Sequence, residues 1–178
     1  MRLAAFTLSL LMLTGCTFHS TQLESIVRLV SPTVDTMKDY RWVLELDGNA
    51  YSVYAVASDP GVIFTNERGL YLTFDGWSFR TLGGFGKDAI NGLNEVIDYD
   101  TIRVIRNRYD SLELRCAAWS HSVDANGTQS GYQQECSTET GEIFRNSIQL
   151  SAQGAITEIE QVVTPNGDTA TIYLLTTQ

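Results

Sequence analysis

The segment Gly69-Leu-Tyr-Leu-Thr-Phe-Asp-Gly-Trp-Ser-Phe-Arg-Thr81 decides the fold class of this chain. Apolar and polar residues alternate on both sides of Asp75-Gly76, the pattern of two half-buried strands joined by a tight turn. A two-residue turn of the primed type would pair Phe74 with Trp77, Leu72 with Phe79, and Leu70 with Thr81. This register predicts an apolar face of Leu70, Leu72, Phe74, Trp77 and Phe79, opposite a face of Tyr71, Thr73, Ser78 and Arg80.

The same alternation recurs on both sides of this hairpin. Trp42, Leu44 and Leu46 precede a turn at 47–49, and further strands are expected at 102–109, 112–122, 143–150, 156–163 and 169–175. Residues 87–98 predict a loop with at most one helical turn. We therefore expect a mainly β fold, an antiparallel meander of about 9–11 strands that is rolled or partly closed into a barrel-like domain.

The N-terminus has the pattern of a bacterial lipoprotein signal peptide. A positive start at Met1-Arg2 is followed by an apolar run over 3–13 and by Leu13-Thr14-Gly15-Cys16. The run is too short to span a bilayer, which needs about 20 residues. These features predict a signal peptide over 1–15 and lipid attachment, palmitate included, at Cys16. A buried N-terminal helix with a chance cysteine is the alternative.

The predicted organisation is therefore a signal peptide, a lipid-anchored segment over 16–39 and a β domain over 40–178. A short helix is expected over 20–30, because Leu23, Ile26, Val27 and Val30 recur at helical spacing. Thr17, rather than Asp, follows the lipidated cysteine, which favours the outer membrane with the domain facing the periplasm. Sorting to the inner membrane stays open, because sorting rules differ between bacteria.

Composition excludes several kinds of partner and site. The chain has 12 basic and 21 acidic residues, a net charge of -9, which disfavours nucleic acid, anionic lipid headgroups and acidic polysaccharide as nonspecific partners. His19 and His121 are the only histidines, so we expect no metal site. No phosphate-binding loop or nucleophile elbow is present, and no cofactor is expected.

Cys116 and Cys136 flank the Asn126-Gly127 turn almost symmetrically. A two-residue turn would misalign the cysteines by one position, whereas a three-residue loop over 125–127, with Asp124 paired to Thr128, aligns them. This register predicts a cross-strand disulfide and places Leu112, Leu114, Cys116 and Ala118 on one face. A redox-active pair is the alternative, although the spacing is not Cys-x-x-Cys.

Residues that could carry chemistry are few. His121 near Ser120, Ser122 and Asp124 does not give a triad, because neighbours on a strand alternate between faces. Glu95, Asp98 and Asp100 could act as paired carboxylates or hold calcium, but such a cluster more often forms a solvated turn. We therefore expect a protein that is not an enzyme. Trp42 and Trp77 fall on the predicted apolar faces, whereas Tyr71 and Trp119 fall on the opposite faces and are the candidate ligand contacts.

Several pieces of the chain resemble YjbF/GfcB-type outer-membrane lipoproteins of capsule and exopolysaccharide operons. These are the leader, Arg28-Leu29, the stretch from Gly69 to Gly83, Cys116-Ala-Ala-Trp119, and the segments at 140–143 and 147–149. The region from Gly83 to Asp98 departs from the family pattern. The resemblance implies a non-catalytic accessory in polysaccharide assembly or export, acting through envelope proteins or glycan, and it carries over no catalytic residues.

Three other functions remain open from the sequence. The first is a lipid- or lipoprotein-binding module with an acyl-sized cavity inside the rolled sheet. The second is an envelope enzyme acting on glycan, with Glu95, Asp98 and Asp100 as its first candidate residues. The third is an envelope lipoprotein of unrelated role.

Overall fold

A computed structural model describes residues 41–59, 61–85, 93–123, 127 and 129–175. The predicted signal peptide, Cys16 and the predicted helix over 20–30 lie outside these residues. Within the described ranges, no helix has the length and apolar character needed to cross a membrane. The structure there is a single sheet of thirteen strands: β1 (Trp42–Leu46), β2 (Asn49–Ser58), β3 (Gly61–Thr65), β4 (Tyr71–Phe74), β5 (Phe79–Gly83), β6 (Asn94–Tyr99), β7 (Ile102–Arg106), β8 (Ser111–Cys116), β9 (Ser120–Val123), β10 (Gln129–Ser137), β11 (Ile143–Leu150), β12 (Ile156–Val162) and β13 (Thr169–Leu174).

Twelve of these strands close into an antiparallel barrel. Successive strands pair along the chain except β8 and β9, which both pair with β10, and β13 pairs with β1 to complete the ring. The predicted mainly β, antiparallel fold is confirmed. The predicted strand number was too low for three reasons: Gly61–Thr65 is a strand that was not predicted, residues 94–99 form a strand instead of a loop, and the strand expected over 112–122 is divided into β8 and β9.

Alternation of side chains explains which residues enter the barrel. In β1, Trp42, Leu44 and Leu46 are at most 8% exposed and point inward, whereas Glu45 between them is exposed. The turn to β2 consists of Asp47 and Gly48, both with positive φ (48° and 67°), and Leu46 pairs with Asn49 across it. Two consecutive positive φ values define the type I′ turn, whose twist matches that of the strands.

The β4–β5 hairpin has a different register from the predicted one. Phe74 pairs with Phe79 and Leu72 with Leu82, so the connection is a four-residue loop over 75–78. The Asp75 carboxylate accepts hydrogen bonds from the backbone N–H groups of Trp77 (2.9 Å) and Ser78 (2.8 Å), which stabilises the longer loop. The predicted inner residues do point inward, but Ser78 is 2% exposed and lies inside, contrary to prediction.

Opposite walls of the barrel are in contact. Gln161 in β12 accepts a hydrogen bond from the Phe79 N–H (3.0 Å) and donates one to the Trp77 carbonyl (2.6 Å). Since β5 and β12 are six strands apart in either direction around the ring, the Gln161 side chain crosses the interior. The space beside it contains large side chains, such as Phe64, Phe74 and Leu44, that are at most 1% exposed. Side chains from opposite walls therefore contact each other inside the barrel.

The barrel closes through a short contact between β8 and β10. Only Cys116 with Cys136 and Arg115 with Ser137 pair there. After a break at 117–119, β9 takes the place of β8 beside β10, and its residues pair along 120–123. The strands β9 and β10 thus form an arm, defined here as residues 117–134, in which β9 has no second neighbour among the described strands.

Candidate functional site

Four rings meet where the arm joins the barrel. Trp77 lies 4.9 Å from Tyr132 and 5.7 Å from Trp119, centroid to centroid, and His121 lies 5.0 Å from Tyr132. We call these four residues the aromatic cluster. Trp77, Trp119 and Tyr132 are half-buried and rest on the main core, whereas His121 is exposed. The cluster therefore presents aromatic surface to solvent from a rigid base.

Strand register places the cluster. His121 pairs directly with Tyr132, so their side chains share one face of the arm. Tyr132 also pairs with the buried Ile148 of β11, which makes this face a continuation of the barrel interior. Trp119 stands just before β9, and Trp77 reaches the same place from the 75–78 loop. Gln161 holds that loop in position through its two hydrogen bonds.

A network of charged side chains lies next to the cluster, beneath the 75–78 loop. Asp98 accepts from Arg103 Nε (2.8 Å), Arg80 Nη1 (3.0 Å) and the Ser78 hydroxyl (2.8 Å). Arg103 also donates to Ser78 (2.7 Å), and Arg80 donates to Asp75 (2.6 Å). Arg103 is 1% exposed. Two arginines thus face two aspartates, and the network carries no net charge.

Burial of the Asp98 carboxyl would by itself raise its pKa. The hydrogen bond and positive charge of Arg103, aided by Ser78 and Arg80, outweigh burial and lower the pKa below its ordinary value of 3.8. A lowered folded-state pKa means that the ionised carboxyl stabilises the folded protein. This stability is present above the unfolded-state value and is lost as the pH falls through the folded-state value.

The protein is therefore expected to lose stability below pH 3.8 in a way that depends on Asp98. Asp98→Asn resembles the protonated carboxyl, so it should be less stable than the wild type near neutral pH. The difference should shrink as the pH falls through the folded-state pKa. Urea unfolding over this pH range measures it, and a difference that stays constant with pH would contradict the assignment to Asp98.

The structure separates the two candidate ligand contacts. Trp119 belongs to the aromatic cluster and packs against the core, so its predicted position on the face away from the core was wrong. Tyr71 lies half-buried on the outer face of β4. Its ring covers Gly83 so closely that a Cβ atom added to Gly83 would lie 2.6 Å from the phenol ring. Whether either residue contacts a ligand stays a prediction.

The predicted disulfide is present in the structure. Cys116 and Cys136 are bonded and their Cα atoms are 3.9 Å apart. Leu112, Leu114 and Cys116 lie on the inner face as expected, but Ala118 is exposed because the strand breaks before it. Cys116 and Cys136 pair in the predicted register. The pairing of β9 with β10 shifts by one position between Gln129 and Gly131.

The carboxylates considered for catalysis do not converge. Asp98 points inward to Arg103, whereas Glu95 lies on the outer face of the same strand and pairs with Arg106 at 2.8 Å. Asp100 is exposed in a turn. The hydroxyls of Ser120 and Ser122 bond to Gln133 and Ser130, and they lie on the face opposite His121. Among the residues described, no three His, Cys, Asp or Glu side chains are grouped to hold a metal ion.

Sequence reasoning missed three parts of this site. Tyr132 and Trp77 were not identified as neighbours of Trp119, and Arg103 was not identified as a buried partner of Asp98. Strand alternation offers a signal for Arg103, because it lies two residues from Ile105 in a β-rich stretch and so shares its face. No local signal joins Trp77 to Trp119, since the contact depends on closure of the barrel.

Comparisons with known proteins identify the fold. No protein-family model and no curated protein matches the sequence. A solved structure does match: the crystal structure of the hypothetical lipoprotein YmcC from Escherichia coli K12, with a TM-score of 0.54. The two sequences are 12% identical, and the match covers 84% of this chain and 93% of that chain. The barrel is thus a fold that a hypothetical lipoprotein also has.

Proposed function

We propose that this chain is an outer-membrane lipoprotein, anchored through Cys16 and facing the periplasm, that serves as a non-catalytic accessory in exopolysaccharide or capsule assembly or export. Its part in that process is to contact glycan through the aromatic cluster. The observation that carries the proposal is the group of half-buried rings Trp77, Trp119 and Tyr132 on a rigid barrel. Tyr and Trp are enriched at binding interfaces, because each combines a large apolar ring with a polar handle.

The lipoprotein part rests on two supports. The leader and Cys16 have the pattern of a lipidated N-terminus, and more than one acyl chain at such a residue gives stable anchoring. The barrel also shares its fold with the hypothetical lipoprotein YmcC. The resemblance of the sequence to YjbF/GfcB-type lipoproteins supplies the link to polysaccharide operons.

The large buried side chains of the core favour glycan contact over lipid carriage. An acyl-binding barrel needs a cavity among its inward-pointing residues, whereas here Phe64, Phe74 and Leu72 pack together at 1% exposure or less. Surface contact at the arm requires no such space. A fatty-acid probe that bound the delipidated protein at one defined site would reverse this preference.

Complementation of a deletion strain tests the proposed function. We expect the strain to secrete less exopolysaccharide, the wild-type gene to restore secretion, and Trp119→Ala to restore it poorly. Tyr109→Ala is the matched control, because Tyr109 is 70% exposed and lies in the β7–β8 turn, outside the cluster. Normal secretion in the deletion strain would overturn the proposal.

The anchor is tested separately. Wild-type protein should incorporate labelled palmitate and sediment with outer membranes, whereas Cys16→Ser should do neither. Equal fractionation of the two forms would contradict the predicted lipid attachment.

A further inference from the structure

We infer that the aromatic cluster binds uncharged sugar units and discriminates against the carboxylated or phosphorylated units of acidic polysaccharides. This inference rests on the glycan contact proposed above and specifies its chemistry. It follows from the side chains around the cluster, from the state of the nearest arginines and from the charge of the whole chain.

The arm is almost free of charge. Between residues 117 and 134 the sequence contains no Lys or Arg, and Asp124 is its only acidic residue. Its polar groups are instead hydroxyls, amides and the His121 ring; His121 shares the face of the cluster, whereas Ser120, Ser122 and Gln133 lie on the opposite face. Such groups exchange hydrogen bonds with sugar hydroxyls but provide no counter-charge for an anionic group.

The arginines closest to the cluster are already occupied. Arg80 is bound to Asp75 at 2.6 Å and to Asp98 at 3.0 Å, and Arg103 is bound to Asp98 at 2.8 Å. The Nη1 atom of Arg103 has no hydrogen-bond partner among the described residues, but this side chain is only 2% exposed and lies beneath the 75–78 loop. Arg80 is 36% exposed, but its Nε and Nη1 atoms are bonded to aspartates that compensate its charge, so it offers an incoming carboxylate no uncompensated positive charge.

The field of the whole protein acts in the same direction. A net charge of -9 repels polyanions at long range. The local ion network is neutral, so it does not offset this repulsion. Recognition then depends on the aromatic surface of Trp77, Trp119 and Tyr132. Contact between this surface and the apolar C–H face of a sugar ring is favourable and does not depend on salt concentration.

Affinity electrophoresis of the full-length protein in detergent tests the inference. The probes are neutral polymers (dextran, galactomannan and a mixed-linkage glucan), anionic polymers (alginate, hyaluronan and polygalacturonate), and the organism's own exopolysaccharide before and after chemical reduction of its carboxyl groups. We expect at least one neutral polymer to retard the protein. The reduced exopolysaccharide should retard it at least as strongly as the native form does. The retardation should be equal at low and high salt.

Variants show whether the retardation comes from the cluster. Trp119→Ala should weaken binding about tenfold, and Trp119→Phe should recover most of it because an aromatic ring is retained. His121→Ala tests an exposed member whose loss does not disturb the core. Tyr109→Ala removes an exposed aromatic ring elsewhere and should bind like the wild type.

Three results overturn the inference, and they differ in whether the proposed function survives. Binding to native exopolysaccharide that disappears after carboxyl reduction or at high salt would show recognition of acidic units, and the proposed function would survive. Absence of binding to every probe would remove both the inference and the glycan contact in the proposed function. Neutral-polymer binding that is unchanged in Trp119→Ala and His121→Ala would place the site elsewhere and also overturn the inference.

Discussion

Replacing Asp98 with alanine is expected to lower the free energy of unfolding by about 3–5 kcal/mol, because the substitution leaves a charged group buried without its partner. Arg103 is 1% exposed, and Asp98 accepts hydrogen bonds from its Nε (2.8 Å) and Nη2 (3.3 Å). Nη1 already lacks a partner. After the substitution, only the Ser78 hydroxyl would remain bound to the guanidinium.

The chain provides a matched control on the same two strands. Glu95 and Arg106 pair across β6 and β7 at 2.8 Å, as Asp98 and Arg103 do, but on the outer face, where their side chains are 41% and 53% exposed. Exposed ion pairs contribute at most about 1 kcal/mol, so Glu95→Ala should change the urea midpoint little. Equal losses in the two variants would show that burial does not govern the effect.

A second variant separates the ion pair from simple loss of packing. Asp98→Ala combined with Arg103→Met removes both charges and keeps a long apolar side chain in the interior. Because the penalty comes from an uncompensated charge, the double variant should recover most of the stability lost in Asp98→Ala. A double variant as unstable as Asp98→Ala would indicate that the carboxylate acts through other contacts, such as that with Arg80.

The sequence was sufficient for the parts of the fold that depend on local alternation. Ile143–Leu150 is a strand over the predicted residues, and Trp42, Leu44 and Leu46 are buried as expected. Each of these assignments depends only on neighbours two positions apart in the chain. The cysteine register was also predicted correctly, although the break at 117–119 and a shift between Gln129 and Gly131 interrupt the hairpin.

Assignments that depend on the environment of a residue were less accurate. The Asp75-Gly76 pair favoured a two-residue turn, but Asp75 caps a four-residue loop because Gln161 bonds to that loop from the opposite wall. The same loop takes Ser78 into the interior to meet Arg103. The contact between Trp77 and Trp119 likewise forms only when the barrel closes, so no short window of sequence contains it.

Removing the disulfide with the double substitution Cys116→Ala and Cys136→Ala is expected to lower the free energy of unfolding by about 3 kcal/mol. The two cysteines are separated by 20 residues, and closing a loop of that size restricts the unfolded chain by about this amount. A further effect is expected in the folded state, because β8 meets β10 through only two residue pairs and the disulfide joins one of them. Without it, the barrel is held at this point by few main-chain bonds, such as that from Ala117 N–H to the Glu135 carbonyl at 2.8 Å.

Two measurements distinguish the contributions. Urea unfolding gives the total loss, and Cys16→Ser serves as control because it leaves both barrel cysteines in place and should keep the wild-type midpoint. Hydrogen exchange reports on closure: the amides of Cys116 and Ala117 should exchange faster in the double variant, while those of β1 and β13 keep their protection. If hydrogen exchange rises equally at residues 116 and 117 and in β1 and β13, the disulfide acts only through global stability. An unchanged urea midpoint after reduction would contradict the expected contribution of the disulfide altogether.

Local opening at β8 and β10 would also loosen the base of the arm, so the double variant should bind glycan more weakly even under conditions in which it remains folded.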